Sequence, residues 1–242
     1  MKHDLNQKNF QHIVILTGAG ISAESGIKTF RDHNGLWENH RIEDVASPEG
    51  FERDPSMVYN FYNKRREQLL SPDLKPNFGH LALAKLEKNF HGKTTLVTQN
   101  VDNLHESAGQ QNIIHMHGEL LKMRCLTTNE VFTTEQSFDG QTLCACCQRP
   151  NQLRPHIVWF GEVPFSMDRI QLELSNCDLF FSIGTSGQVY PAAMFGQIAK
   201  QNGALTVEIN KDPTENSPFF DKSIIGKAGE ILPPFVDNFL NS

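Results

Sequence analysis

Residues 13–23 read Ile-Val-Ile-Leu-Thr-Gly-Ala-Gly-Ile-Ser-Ala, and this stretch decides the fold. The short apolar run at 13–17 is expected to be a strand buried on both faces of a parallel sheet, because a strand with one wet face would alternate. Glycines follow at once, in the pattern Gly-x-Gly-x-x-Ala. The first glycine, Gly18, permits a tight turn. The second, Gly20, lets backbone approach a pyrophosphate, and the small Ala23 allows close helix packing. Backbone N–H groups at the start of the following helix would then face the phosphates. Gly18, Ala19, Gly20 and Ala23 are therefore candidate dinucleotide-binding positions. A plain tight turn would also use glycines; the strand before and the helix after favour the dinucleotide.

Working outward, similar apolar runs recur at 94–98, 113–116, 178–183 and 204–209, separated by helical patterns at 79–89, 167–175 and 191–201. Strands alternating with helices predict an α/β fold with a doubly wound, Rossmann-like parallel sheet. Two stretches break the alternation. Residues 39–78 are polar with a helix predicted near 56–70, and residues 122–155 carry a cysteine cluster. Both are expected to be insertions that pack together as a smaller lobe, part helical and part zinc-ribbon-like. Residues 1–38, 79–121 and 156–242 then form the dinucleotide-binding domain.

Composition narrows the function. The 242 residues carry 28 acidic and 22 basic side chains, a net charge of −6, so no basic nucleic-acid face is expected. The one tight basic run, Lys64-Arg65-Arg66, reads as a solvated helix face. No apolar run approaches a membrane span, and the first ten residues lack a signal-peptide core. Cytoplasmic residence is the expectation, and there clustered cysteines read as metal or catalytic.

Three predicted strands end in polar clusters: Gln99-Asn100-Val101-Asp102, His115-Met116-His117-Gly118, and Gly184-Thr185-Ser186. That edge is where open α/β sheets bind ligands. An ordinary NAD-dependent dehydrogenase would place an acidic residue about 20 positions after the glycine loop, at the end of a second strand. Here that region reads DHNGLWENH and is loop-like, so the dinucleotide is expected to be held differently, with Glu208 and Asn210 ending a strand far downstream.

GAGISAESGIKTFR, TQNVDNLH, HMHGEL, VWFGE and GTSGQVYPAA together resemble the sirtuin family, over about residues 12–235 and closest to the bacterial members of the desuccinylase type. The resemblance implies an NAD-dependent protein lysine deacylase in which NAD+ is a co-substrate. The products would be free lysine, nicotinamide and O-acyl-ADP-ribose. It makes His117 the base that activates a ribose hydroxyl, a role suited to a histidine pKa. Asn100 and Asp102 would line the nicotinamide pocket, and Gln99 would hold the ribose. Phe30, Arg31 and Trp37 would belong to the cofactor region, Phe30 and Arg31 within the loop that closes over it. Gly184, Thr185 and Ser186 would contact phosphate or ribose, Asn210 the adenosine ribose, and Ala228 would also be a cofactor position. Val158, Phe160, Gly161 and Glu162 would pair with acyl-lysine peptide backbone as an added strand. Lys28-Thr29 departs from the commoner Pro-Asp of the cofactor loop.

The pair Tyr62-x-x-Arg65 lies on the predicted helix at 56–70, and positions three apart share a face. It matches the desuccinylase signature, and Ala46 matches the small residue that widens the same pocket. A succinyl or malonyl carboxylate is costly to bury unpaired. Arg65 offers it two parallel N–H bonds and Tyr62 a hydroxyl. Plain acetyl-lysine is expected to react as well. On an isolated amphipathic helix the same pair would read as a tyrosine and an arginine on the surface.

His115 stands two residues before His117, and on a strand both would point to one face. An H-x-H metal pair lacks a third histidine or carboxylate motif, so His115 is expected to be structural. Asp102 by itself would suit a helix cap. Of the five cysteines, Cys125, Cys144 and Cys147 are expected to hold one structural zinc, with Cys146 or a water as fourth ligand. The first knuckle is broken, since Thr128 stands where its second cysteine would be. The alternative is a degenerate knuckle without metal. Cys177 reads as a small buried residue. Competing functional readings are an NAD-dependent dehydrogenase, a zinc-dependent binding module, and a catalytically weak sirtuin-like acyl-lysine reader.

Overall fold

The computed structural model describes residues 5–28, 36–37 and 40–242. The chain opens with β1 (His12–Thr17) and a single short turn of helix, α1 (Ala19–Ser22). A small ladder of β2 (Leu36–Trp37) and β3 (His40–Arg41) leads into α2 (Ile42–Val45), α3 (Pro48–Arg53) and the long α4 (Pro55–Leu69). Next come α5 (Phe78–Asn89), β4 (Lys93–Thr98), α6 (Leu104–Ser107) and β5 (Ile113–His115). Three strands follow, β6 (Gly118–Cys125), β7 (Val131–Thr133) and β8 (Leu153–Ile157). The chain closes with α7 (Met167–Asn176), β9 (Leu179–Ile183), α8 (Phe195–Gln201), β10 (Leu205–Asn210), β11 (Lys222–Ile225) and α9 (Ala228–Leu240).

Six strands form one parallel sheet in the order β11-β10-β9-β1-β4-β5. All six residues of β1 are buried because both sheet faces are covered. Ile13 and Ile15 face a core shared with Leu83 and Leu86 of α5 and Leu232, Val236 and Phe239 of α9. Val14 and Leu16 face a second core with Ile170 and Leu174 of α7 and Phe195 and Ala199 of α8. The strand order reverses between β1 and β9, so the crevice at their carboxyl ends is the topological switch point where such sheets bind ligands.

β11 and α9 lie beyond residue 209, the end of the last strand read from the sequence. Pro233 and Pro234 sit inside α9. Proline removes an N–H and argues against a helix interior; the packing of Leu232, Val236 and Phe239 on the sheet outweighs it.

The polar stretch around the cysteines is not structureless. β6, β7 and β8 make an antiparallel sheet in the order β7-β6-β8. α4 packs on it: Val58, Phe61 and Tyr62 share a core with Leu120, Ile157 and Trp159. Tyr59 donates from its hydroxyl to the Leu153 carbonyl at 2.6 Å. The reading of Lys64-Arg65-Arg66 as a solvated face fails at Arg66. That side chain is 1% exposed, donates from Nε to the Leu120 carbonyl (3.0 Å) and from Nη1 to Asn63 Oδ1 (2.7 Å), and lies over the Phe138 ring. Burial lowers its pKa to about 10. No helix among the described residues is long and apolar enough to cross a membrane.

Candidate active site at the carboxyl edge of the sheet

The turn after β1 is locked to the turn after β9. Gly18 N–H donates to the Ile183 carbonyl at 3.0 Å and Gly20 N–H to the Gly184 carbonyl at 2.8 Å. A Cβ on Gly20 would stand 2.7 Å from Gly184 O, and one on Gly18 2.9 Å from it. The glycines are therefore required first by each other's backbone across the switch point. This corrects two expectations. Two of the loop's N–H groups are engaged by protein carbonyls, and the helix that should follow is only α1, passing at once into a 3-10 turn, Ala23–Ser25. Ala23 is exposed, so it is not a helix-packing residue.

The end of β4 enters this locked pair of turns. Gln99 Nε2 donates to Thr185 Oγ1 at 3.1 Å. Asn100 Nδ2 donates to the Gly18 carbonyl at 3.2 Å and to Ser22 Oγ at 3.1 Å. Ser22 Oγ donates to Asp102 Oδ2 at 3.0 Å, while Asp102 Oδ1 accepts the Leu104 N–H at 3.1 Å. Asp102 is thus a member of the site network whose other oxygen braces the turn into α6, while the N-cap position itself is Asn103. Burial raises its carboxyl pKa, against the opposing Leu104 and Ser22 hydrogen bonds. From β10, Asn210 Nδ2 donates to the Thr185 carbonyl at 2.7 Å. Ser186 is half-buried in the same turn, and Ala228 is buried at the start of α9. The strands beside β1 end at Thr98 (β4) and Ile183 (β9), neither of them the carboxylate a dehydrogenase would need.

Two histidines of this region escaped the sequence reading. His80 lies on α5 with Nδ1 accepting the Asn77 N–H at 3.3 Å and Nε2 3.5 Å from Ser22 Oγ. His105 lies on α6 with Nε2 3.1 Å from Thr17 Oγ1, and the two rings stand 4.8 Å apart. Burial lowers the His80 pKa to about 4 and puts His105 well below the ordinary histidine value, so both stay neutral. A reciprocal cap between Asn77 and His80 was the available signal for one of them.

β5 ends at His115, and His117 stands in the turn that follows. His117 Nδ1 is 3.1 Å from the Gln99 carbonyl. A carbonyl only accepts, so Nδ1 carries the proton and Nε2 holds the lone pair. Burial lowers the His117 pKa, with the Gln99 bond opposing. His115 behaves differently. Its Nε2 is 2.5 Å from Glu106 Oε1 and its Nδ1 3.4 Å from the Asn100 carbonyl. Burial works against its charge, but the Glu106 carboxylate outweighs burial and raises its pKa. His115 and His117 do not fall in one candidate metal group among the described residues. Carboxylates do accompany His115, namely Glu106 and Glu119, contrary to expectation, but His117 is not in that group.

The turn at 158–162 packs against His117. Val158 N–H donates to the His117 carbonyl and Phe160 N–H to the Ala46 carbonyl, each at 2.9 Å. The expected extended strand is corrected: the chain turns at Phe160 and Gly161, which are exposed, and Gly161 has φ +89°. The Glu162 side chain is anchored within the lobe. It accepts Arg154 Nη1 at 2.7 Å, Arg154 Nη2 at 2.9 Å and the Trp159 N–H at 2.8 Å. Ala46, Tyr62 and Trp159 share one core, with Trp159 Nε1 donating to the Tyr62 hydroxyl at 2.9 Å. Tyr62 is fully buried, and burial raises its pKa, so it remains a hydroxyl at neutral pH. Arg65 is half-buried; its guanidinium lies 3.7 Å over the Phe61 ring, with Nη1 on the Phe61 carbonyl at 2.9 Å. Phe30, Arg31 and the Trp37 side chain lie outside the described residues.

Away from this edge, the sulfurs of Cys125, Cys144, Cys146 and Cys147 all lie within 4.8 Å of one another. Zinc at about 2.3 Å from each of four sulfurs requires sulfur separations of roughly 3.8 Å. The cluster is compatible with one structural zinc, and it includes Cys146 beside the three expected ligands. Cys177 is buried apart from it, and burial raises its pKa to about 12.

A glycine loop locked across the switch point of a doubly wound sheet, beside polar strand ends and a lone-pair histidine, defines a nucleotide-binding α/β protein. The Sir2 family profile matches residues 18–191, and the chain belongs to that family. A Vibrio cholerae serotype O1 protein named NAD-dependent protein deacylase is 58% identical over 231 residues, covering 96% of this chain and 94% of its own. Among solved structures, a Sir2 homologue in complex with NAD superposes with a TM-score of 0.88 at 41% identity, covering 98% of this chain and 92% of its own. A mutant Sir2 homologue in complex with 2'-O-acetyl ADP ribose gives a TM-score of 0.89 at 40% identity, covering 100% and 97%.

Proposed function

We propose that this chain is an NAD-dependent protein deacylase that removes acetyl groups, and also succinyl and malonyl groups, from protein lysines. The single observation that carries the reading is the His117–Gln99 contact. It fixes the imidazole tautomer and presents Nε2 as a base, beside the polar end of β4 that joins both switch-point turns. NAD+ supplies the nicotinamide–ribose bond that is broken and the ribose that takes up the acyl group; with one water consumed, the products are nicotinamide, free lysine and O-acyl-ADP-ribose. Gly18, Ala19, Gly20, Gly184, Thr185 and Ser186 bind its phosphates and ribose. Asn210 and Ala228 hold the adenosine end. Gln99, Asn100 and Asp102 line the nicotinamide side, and His117 accepts the proton of a ribose hydroxyl. The acyl-lysine peptide lies along the turn at 158–161, next to His117.

The acyl pocket is formed by Ala46, Tyr62 and Arg65. Ala46 leaves width, Tyr62 is held by Trp159, and Arg65 brings the one guanidinium of the set toward a terminal carboxylate. An ion-paired carboxylate in such a pocket gains charge-assisted hydrogen bonds that an acetyl group cannot make.

Mass spectrometry of a panel of acetyl-, malonyl- and succinyl-lysine peptides, incubated with and without NAD+, tests the proposal. All three should be deacylated, and only with NAD+. A panel in which only acetyl-lysine reacts would remove the acyl-pocket assignment and leave the deacylase reading standing.

A further inference from the structure

Three side chains of metal-ligand type converge beside the active-site edge and take no part in the deacylation chemistry. Glu106 comes from α6, His115 from the end of β5 and Glu119 from the second position of β6. One donor atom of each lies within 4.8 Å of the other two. The imidazole is presented as a metal ligand is. Its Nδ1 is 3.4 Å from the Asn100 carbonyl, and a carbonyl only accepts, so Nδ1 carries a proton and Nε2 faces the carboxylates. Metal-bound histidines are held in this way, by a carbonyl or carboxylate behind the ring that fixes its tautomer. Nε2 stands 2.5 Å from Glu106 Oε1, a gap bridged by a shared proton whose place a metal ion can take.

We propose that Glu106, His115 and Glu119 form a binding site for one divalent transition-metal ion of the zinc class, apart from the cysteine cluster. His115 Nε2 and one oxygen of each carboxylate are the protein ligands, and water completes the shell. An imidazole with two carboxylates suits zinc and its neighbours rather than a thiol-seeking metal. Three protein ligands plus water is the arrangement of zinc sites that keep an open position. Exposure agrees with that arrangement. The His115 side chain is 10% exposed and Glu106 40%, so a fixed imidazole meets a carboxylate that reaches water and gives the ion a way in. Zinc at about 2.0–2.1 Å from each donor needs donors roughly 3.3 Å apart, so Glu106 has to withdraw from His115 by somewhat less than about 1 Å. A half-exposed side chain at the end of a short helix can do so. Lys122 Nζ donates to Glu119 Oε1 at 2.7 Å and holds that carboxylate in place, while its second oxygen remains for the metal. A metal ion here ties α6, β5 and β6 together next to Asn100 and His117, and uses no atom assigned to NAD+ or to the base.

Isothermal titration of zinc into the full chain, alongside its Glu106→Gln and Glu119→Gln variants, tests the site. The cysteines are the same in all three proteins, so the difference between them reads this site alone. The native chain should bind one zinc ion more than either variant, or bind it at least about 10-fold more tightly, since losing a ligand costs no less than losing a supporting residue. Long-range proton–nitrogen spectra of the imidazole rings give a second readout that needs no variant: zinc should move the His115 Nε2 resonance. Equal stoichiometry and affinity in the three proteins would overturn the proposal and leave His115 and Glu106 as an ion pair only. An unmoved His115 Nε2 resonance at saturating zinc would overturn it as well, even where a variant had lost zinc by misfolding.

Discussion

The Nδ1 of His117 and the carbonyl oxygen of Gln99 stand 3.1 Å apart, and this contact ties the imidazole to the strand end that joins the two glycine turns. Replacing His117 with alanine should reduce turnover by about 100- to 10,000-fold while leaving NAD+ binding in place, since the glycine turns are untouched. Because burial lowers the His117 pKa from 6.5, the neutral ring persists on the acid side. The acid limb of kcat/KM should therefore lie below pH 6.5. A limb centred above 6.5, or near-normal turnover in the variant, would remove His117 from its role.

Arg65→Met should separate the two acyl activities. Loss of a charge-assisted bond costs about 2 kcal/mol, or roughly 30-fold, in desuccinylation. Deacetylation should be largely spared. Comparable losses in both, measured on matched peptides, would make Arg65 a structural residue stacked on Phe61.

Gly20→Ala places a methyl group 2.7 Å from Gly184 O, backbone against backbone. One turn must move, at a cost of about 1–3 kcal/mol in denaturant unfolding. The KM for NAD+ should rise with it. An alanine variant of unchanged stability and KM would show that the two turns are not mutually locked.

The ion pair of His115 and Glu106 should make stability depend on pH. His115 has a raised folded pKa, so its contribution is complete below its ordinary value of 6.5 and is lost as pH rises through the folded value. Partial desolvation opposes the charge of Glu106, yet the His115 bond lowers its pKa below 4.5. Its contribution is lost as pH falls through that lowered value. Thermal unfolding should show the alkaline loss in the native chain and a flatter profile in Glu106→Gln. Identical profiles would mean that the pair contributes nothing measurable.

The parallel sheet and the polar strand ends were legible because burial on both faces leaves an unbroken apolar run, and each run ends where the ligand edge begins. What was hidden is nonlocal. Nothing in Lys64-Arg65-Arg66 marks Arg66 as buried; Leu120 and Phe138, far along the chain, cover it. His80 and His105 carry no periodic signal, and only folding brings them beside Thr17 and Ser22. The glycine motif was visible, but its steric cause was not, because Gly184 lies more than 160 positions from Gly20. The anchoring of the Glu162 carboxylate by Arg154 was likewise hidden, because only folding joins them with Trp159.

The central claim is that lysine deacylation by this chain consumes NAD+. The most direct measurement quantifies nicotinamide and free lysine peptide together over a time course with an acetyl-lysine peptide. The account predicts one nicotinamide for each lysine released, and no lysine released when NAD+ is omitted. Deacylation continuing without NAD+, or lysine released in excess of nicotinamide, would contradict it.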